Sequence, residues 1–203
     1  MTETDKSQQN VNPQPAPPTA EGLAAAAGKA AKKGPPPVHL WNPPFCGDLD
    51  IEIRRDGSWF YLGTPIGRPA LVKLFASILK LEDGKYFLVT PVEKVGIRVV
   101  DAPFVAVDVE QTGTGADQAL RFTTNVGDTV TAGPDNPIRV ERDADGTPAP
   151  YVHIRRGLEA LIDRKTFYRL VDIARPATHQ GQDWLGLWSQ GTFFPIIPVA
   201  ELS

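Results

Sequence analysis

From Val38 onward the chain repeatedly alternates apolar and polar residues, and this period of two constrains the fold more than any other feature. Side chains at i and i+2 share one face of a strand, so such a pattern describes half-buried sheet. Ile51 and Ile53 alternate with Asp50, Glu52 and Arg54, and Arg55-Asp56-Gly57-Ser58 forms a turn before a strand at Trp59 to Leu62. Tyr86 to Thr90 is a further strand, and Val95, Ile97 and Val99 alternate with Lys94, Gly96 and Arg98. Val105 to Val109 and Leu120 to Thr124 pair across Thr112-Gly113-Thr114-Gly115. Ile138 to Glu141 and Tyr151 to Arg155 flank the turn Asp143-Ala144-Asp145-Gly146. One wet face on each strand predicts a mostly antiparallel sheet.

Two short helices interrupt the strands, which makes the expected class α+β. From about Arg68 to Lys80, Leu71, Val72, Leu74, Phe75, Ile78 and Leu79 form a stripe at helical spacing. Pro69 falls in the first turn, where a missing N–H costs nothing. From about Arg164 to Ala174 the buried side is Phe167, Tyr168, Leu170, Val171 and Ala174, with Asp163 as N-cap and Pro176 as stop.

Residues 1–37 differ, with seven Pro, eight Ala and no aromatic residue. That composition predicts a disordered tail, because it buries too little apolar surface to offset ordering entropy. Leu23 to Lys33 could form an Ala-rich helix, but alone it would be marginal in water. The tail carries a net +1, so the remaining residues of this −3 chain carry −4. Such a balance points to neither nucleic acid nor an anionic membrane. With no long apolar run, no secretory pattern at Met1 to Asp5 and one Cys, the sequence predicts a soluble cytoplasmic protein without disulfides.

The two helices align at an offset of 96 residues. Ile66-Gly67-Arg68 matches Ile162-Asp163-Arg164, and Leu71, Val72, Leu74 and Phe75 meet Phe167, Tyr168, Leu170 and Val171. An Arg pair precedes each helix (Arg54-Arg55, Arg155-Arg156) and an aromatic strand follows each, Tyr86-Phe87-Leu88-Val89 and Trp184-Leu185-Gly186-Leu187-Trp188. Matching polar as well as apolar positions predicts duplicated strand–strand–helix–strand units, at 38–100 and 101–203.

The runs Leu40-Trp41-Asn42-Pro43-Pro44-Phe45-Cys46-Gly47, Asp56-Gly57-Ser58-Trp59-Phe60-Tyr61 and Pro65-Ile66-Gly67-Arg68 resemble the bacterial domain of unknown function 1285 family. So do Phe87-Leu88-Val89-Thr90-Pro91-Val92-Glu93-Lys94, Asp101-Ala102-Pro103-Phe104 and Arg156-Gly157-Leu158-Glu159-Ala160. The resemblance covers about residues 38–195. It implies a duplicated α+β architecture with a pleckstrin-homology-like C-terminal half. It also implies a binding site at the domain interface, for a nucleotide-like ligand, and a role in signal transduction. It brings no catalytic residue.

Seven residues form the candidate ligand site: Trp59, Tyr61, Arg68, Lys94, His153, Arg155 and Arg164. Arg68 and Arg164 begin their helices, where a cation opposes the macrodipole unless an anion or a carboxylate such as Glu93 or Glu159 compensates. Trp59 and Tyr61 share a strand face, as do Tyr151, His153 and Arg155. Aromatics beside Arg can stack a base and hold phosphate, or can simply fill the contact between halves. Lys94 has the same two explanations. If the halves meet at their matching arginines, Arg68 and Arg164 converge on one cleft.

Other chemistry finds little support. Asp48, Asp50 and Glu52 could hold a divalent cation, but they describe a solvated strand face as well. Glu141, Asp143, Asp145 and Gly146 imitate a calcium loop whose twelfth position is Val152, so they form a hairpin turn. Cys46 is expected as a small buried hydrophobe. Ser189 misses nucleophile-elbow spacing, and His39, His153 and His179 lack metal-ligand spacing. No dinucleotide or phosphate-loop glycine motif occurs. No metal, cofactor or catalytic residue is therefore expected.

The first expectation is a non-catalytic sensor that binds an anionic, nucleotide-like molecule in the inter-domain groove. An alternative is a protein-interaction module without a small ligand, its sheet edge or groove taking a peptide. A third, a phospho-compound hydrolase, would need His153 beside Asp101 or Glu159.

Overall fold

The computed structural model describes residues 17–31 and 35–202. Three helices, α1 (Ala20–Ala31), α2 (Pro69–Ser77) and α3 (Arg164–Ile173), join three sheets among these residues. The first sheet holds β1 (Phe45–Ile53), β2 (Trp59–Tyr61), β3 (Thr64–Pro65), β4 (Leu79–Glu82), β5 (Lys85–Val89) and β6 (Lys94–Val99), in the order β3-β2-β1-β6-β5-β4. The second holds β7 (Phe104–Thr112), β8 (Ala119–Thr124), β9 (Thr129–Thr131), β10 (Ile138–Arg142), β11 (Pro148–Arg155) and β12 (Leu158–Ile162), in the order β10-β11-β12-β7-β8-β9. The third is the meander β13 (Arg175–His179), β14 (Gln182–Ser189) and β15 (Thr192–Pro198).

The α+β class and the predominance of antiparallel pairing hold. Both halves carry a hairpin, then a helix, then a three-stranded antiparallel meander: α2 leads to β4-β5-β6 and α3 to β13-β14-β15. The 96-residue offset superposes the two helix ends, Ser77 on Ile173. Two pairings are parallel, β1 with β6 and β12 with β7. Alternation alone does not reveal them, because their partners are joined by long crossovers. The first core helix is also shorter than its apolar stripe. Ile78 ends it, and Leu79-Lys80-Leu81-Glu82 pairs antiparallel with Lys85 to Leu88.

The N-terminal segment corrects the expectation of disorder across 1–37. Residues 1–16 and 32–34 lie outside the described residues, but Ala20–Ala31 is helical. Thr19 starts it, its Oγ1 accepting from the Gly22 N–H at 3.1 Å. Leu23 and Ala27, four apart, are fully buried within the main apolar cluster, and α1 packs on α2. Burial of that stripe provides the stabilisation an isolated helix of this length lacks.

One continuous apolar cluster crosses both halves and includes Ile51, Trp59, Phe75, Phe104, Phe122, Leu158, Leu170 and Leu187. Polar bonds then fix the halves to each other. Arg155 on β11 pairs with Asp128 and donates to the Ala76 carbonyl of α2 at 2.9 Å. Asn125 accepts from the Val105 N–H at 3.0 Å and donates to the Gly57 carbonyl at 3.2 Å. Gly57 has φ +80°, and a Cβ there would lie 2.5 Å from the Asn125 amide nitrogen. Both its turn and the closeness of the other half therefore require glycine. Ser189, fully buried, ties the third sheet to the second: it donates to the Ala132 carbonyl at 2.7 Å and accepts from Leu120 N–H at 2.9 Å.

Leu23→Ala should weaken the docking of α1 by about 2 kcal/mol, a thirtyfold effect on local opening. Hydrogen exchange should then quicken by about that factor at α1 amides and stay unchanged in β5. Unchanged exchange in α1 would show that Leu23 does not anchor it.

Candidate functional site

The seven expected ligand residues are distributed, not gathered. Trp59 is 2% exposed, stacked on Phe75 with ring centroids 6.3 Å apart, so its ring is core and offers no face to a ligand. Tyr61 and Arg68 line a cavity of about 440 Å³ between α1 and α2. Arg164 lines a second cavity of about 510 Å³, together with Arg55, Asp143, Phe167 and Tyr168. The two cavities share no lining residue, so the matching guanidinium groups do not converge. Neither Arg68 nor Arg164 forms an ion pair among the described residues, and Glu93 and Glu159 do not compensate them: Glu159 holds Arg139, through bonds of 2.8 and 2.5 Å.

The other three are engaged structurally. Lys94 pairs with Glu82 at 2.7 Å, beside Lys80 at 2.6 Å from the same carboxylate. Those two ammonium donors, Lys80 foremost, hold the Glu82 carboxyl below its ordinary range. His153 lies opposite Glu159 in the β11–β12 register. Its Nδ1 is 2.9 Å from the Asp135 carbonyl, while Nε2 accepts from the Gly157 N–H at 3.0 Å, so Nδ1 carries the proton in that arrangement. With both ring nitrogens on backbone and Glu159 on Arg139, this constellation supplies no base to a substrate. Arg155 is the clamp between halves, and its guanidinium also lies over the Phe104 ring at 5.0 Å. Cys46, expected to be buried, is exposed at the start of β1.

Asp101 joins the same frame. It accepts from the Tyr151 hydroxyl at 2.8 Å and pairs with Arg55 at 3.1 Å. Burial first, and that bond second, push the Tyr151 phenol upward, so it stays protonated. Arg55 reaches on to Asp143 at 3.0 Å, linking a turn of the first half to the turn after β10. Bonding to Asp143 keeps Arg55 firmly charged.

The second cavity combines these parts. Arg55 enters from the first half, and α3 supplies Arg164, Phe167 and Tyr168 from the second. Asp163 caps α3, accepting from the Thr166 N–H at 2.7 Å. One turn along, Tyr168 takes the Arg164 Nε–H at 2.9 Å, and the guanidinium lies 5.7 Å from the Tyr168 ring centroid. Tyr168 is 56% exposed, an aromatic surface beside an unpaired cation. Pro148, Pro150 and Leu161 complete an apolar wall. Arg55 and Tyr168 were not among the expected site residues. Tyr168 was detectable through its i+4 spacing from Arg164, which places both on one helix face.

Family models match nearly the whole described core: the N-terminal domain of unknown function DUF1285 over residues 36–102, and the C-terminal domain of the DUF1285 protein of unknown function over 103–196. The chain belongs to the DUF1285 family. A crystal structure of a DUF1285 family protein from Silicibacter pomeroyi DSS-3 is 63% identical, with a TM-score of 0.81, covering 89% of this chain and 97% of that one. A second, from Shewanella baltica OS155, is 33% identical with a TM-score of 0.48, covering 61% of this chain and 91% of that one. No curated protein matches. In this DUF1285 chain, no described helix is long and apolar enough to cross a membrane, and no cluster of metal-ligating side chains occurs among the described residues.

The Glu82 cluster generates a pH prediction. A carboxyl whose folded pKa is depressed contributes stability above its unfolded value and loses it as pH falls through the folded one. Wild type should therefore exceed Glu82→Gln in melting temperature above about pH 5, with the difference closing as pH falls below the ordinary glutamate range. A difference independent of pH would exclude the ionic origin.

Proposed function

We propose that this DUF1285 protein is a non-catalytic sensor whose groove at Arg55 and Arg164 takes an anionic, nucleotide-like molecule. The observation that carries this reading is the Arg164 guanidinium, held by Tyr168 and without an ion pair among the described residues, in the wall of a cavity to which both halves contribute and which Asp143 and Asp163 also line. A phosphate meets Arg164 through charge-assisted bonds, and a base stacks on Tyr168. The volume, about 510 Å³, suits a small nucleotide.

Signalling follows from Arg55. It holds Asp143 at 3.0 Å and Asp101 at 3.1 Å across the two halves. An anion that draws Arg55 toward itself competes with Asp143 and releases the Asp143–Gly146 turn. A ligand shifts such an equilibrium only through its different affinity for the two arrangements. The pleckstrin-homology-like description of the C-terminal half is part of the same reading, supported by its six-stranded sheet followed by α3.

Calorimetric titration with adenosine monophosphate tests this. Binding should weaken at least tenfold in Arg164→Ala, about 1.4 kcal/mol, and persist in Arg68→Ala, which lies in the other cavity. Equal binding by Arg164→Ala, or melting shifts no larger than plain sulfate gives, would refute the reading.

A further inference from the structure

The third sheet has two unlike faces. Leu185, Leu187, Phe194 and Ile196 join the main apolar cluster. Trp184, Gly186 and Trp188 alternate with them along β14, so they share the opposite face. The register adds Phe193, opposite Trp188, together with Arg175 and Pro195, both opposite Gly186. Trp184, Trp188 and Phe193 are half-buried and lie outside the cluster. Rings on this face run together: the Phe193 centroid is 5.2 Å from that of Trp188 and 5.9 Å from that of His179. Gly186 makes room for them, since a Cβ there would lie 2.4 Å from the Phe193 ring. Beside Trp188 and Arg175 is a hollow of about 110 Å³, closed by Ile173, Gln111 and Gln118. That is below the size of a small-molecule pocket and leaves room for a single side-chain ring. A contiguous aromatic face set apart from the core marks an interaction surface.

We infer that this face docks a polyproline II segment, and that its occupant is the run Pro13-Gln14-Pro15-Ala16-Pro17 of a second copy of this chain. A sheet face presents side chains and no free backbone groups, so a ligand lying on it gains no ladder hydrogen bonds. Polyproline II suits that condition: it has no internal hydrogen bonds, its backbone stays solvated, and it is ordered before it binds. Aromatic-lined surfaces are where proline rings pack. The sequence supplies the match. Proline stands at every second position from 13 to 17, and Asn12, Gln14 and Ala16, each preceding a proline, are biased toward the same extended backbone. No charged residue lies between Ser7 and Ala20, so the run meets the rings without desolvating an ion. Ala20 and Glu21, which follow the run, line a cavity with Thr64 and Pro65 of the first half, and α1 packs on α2. The aromatic face belongs to the second half. A second molecule therefore supplies the run, in a heterologous contact of tail against sheet.

Indole N–H spectra of the full chain test the inference, with a peptide of residues 8–19 as probe. In titrations carried to about 1 mM the Trp184 and Trp188 signals should shift saturably, while that of Trp59, in the core, stays fixed. A peptide with alanine in place of its four prolines should bind at least tenfold more weakly. Trp188→Ala in the full chain, read at Trp184, should lose a similar factor; the alanine peptide tests the same contact with the protein's fold untouched. A peptide of residues 19–31, the α1 helix, should leave both signals unmoved. Without peptide, the two signals should move with protein concentration, and Pro13→Ala combined with Pro15→Ala should remove that dependence. Arg164→Ala should alter none of this, which separates the result from the fate of the groove reading. Absence of a saturable shift, equal binding by the alanine peptide or by the helical one, or signals independent of protein concentration would each overturn the inference.

Discussion

A single guanidinium, that of Arg155, joins three parts of the molecule that are remote in sequence. It leaves β11, pairs with Asp128 at the turn after β8, lies over Phe104 at the start of β7, and ends on the Ala76 carbonyl in α2. Ala76 is near the end of a helix, where carbonyls lack intrahelical donors and carry partial negative charge. The cation therefore satisfies a helix end of one half while braced by a carboxylate of the other. Asn125 and Gly57 act beside it at closer range, backbone against amide. The positions of both cavities depend on this frame, since one needs Arg55 set against Asp143 and the other needs α2 held still beneath α1.

The two cavities differ in how the charges that line them are held. Where both halves contribute, Arg55 is already engaged with Asp101 and Asp143. Where α1 meets α2, Arg68 forms no ion pair among the described residues. Lys94 and His153 serve the scaffold: Lys94 holds β6 to β4 through Glu82, and His153 closes the turn at Gly157.

Local structure was legible where local physics decides it. Alternation located β1, β6, β7 and β11, Asp163 marked the start of α3, and the Arg-bearing repeat at an offset of 96 disclosed the two similar halves. The end of α2 was not, because Leu79 and Leu81 satisfy a helical stripe as well as a strand face, and only β5 decides between them. The candidate site was read less well for a related reason. Trp59 looks like a stacking platform until the burial imposed by Phe75 is known. Arg155 looks like a ligand donor until Asp128 and Ala76, 27 and 79 residues away, are brought beside it. Whether a carboxylate compensates Arg68 and Arg164 was left open by the sequence, and matching sequence positions say nothing about whether two side chains line one cavity; here they line two.

The frame itself is open to a direct measurement. Urea unfolding of the full chain should be followed by two probes, hydrogen exchange in β5 for the first half and in β8 for the second. With Arg155 and Asn125 intact, the two transitions should coincide, as expected of one cooperative unit. In Arg155→Met combined with Asn125→Ala they should separate, the halves opening at different denaturant concentrations. Coincident transitions in that double variant would contradict the account, since the halves would then be coupled through their apolar contact alone.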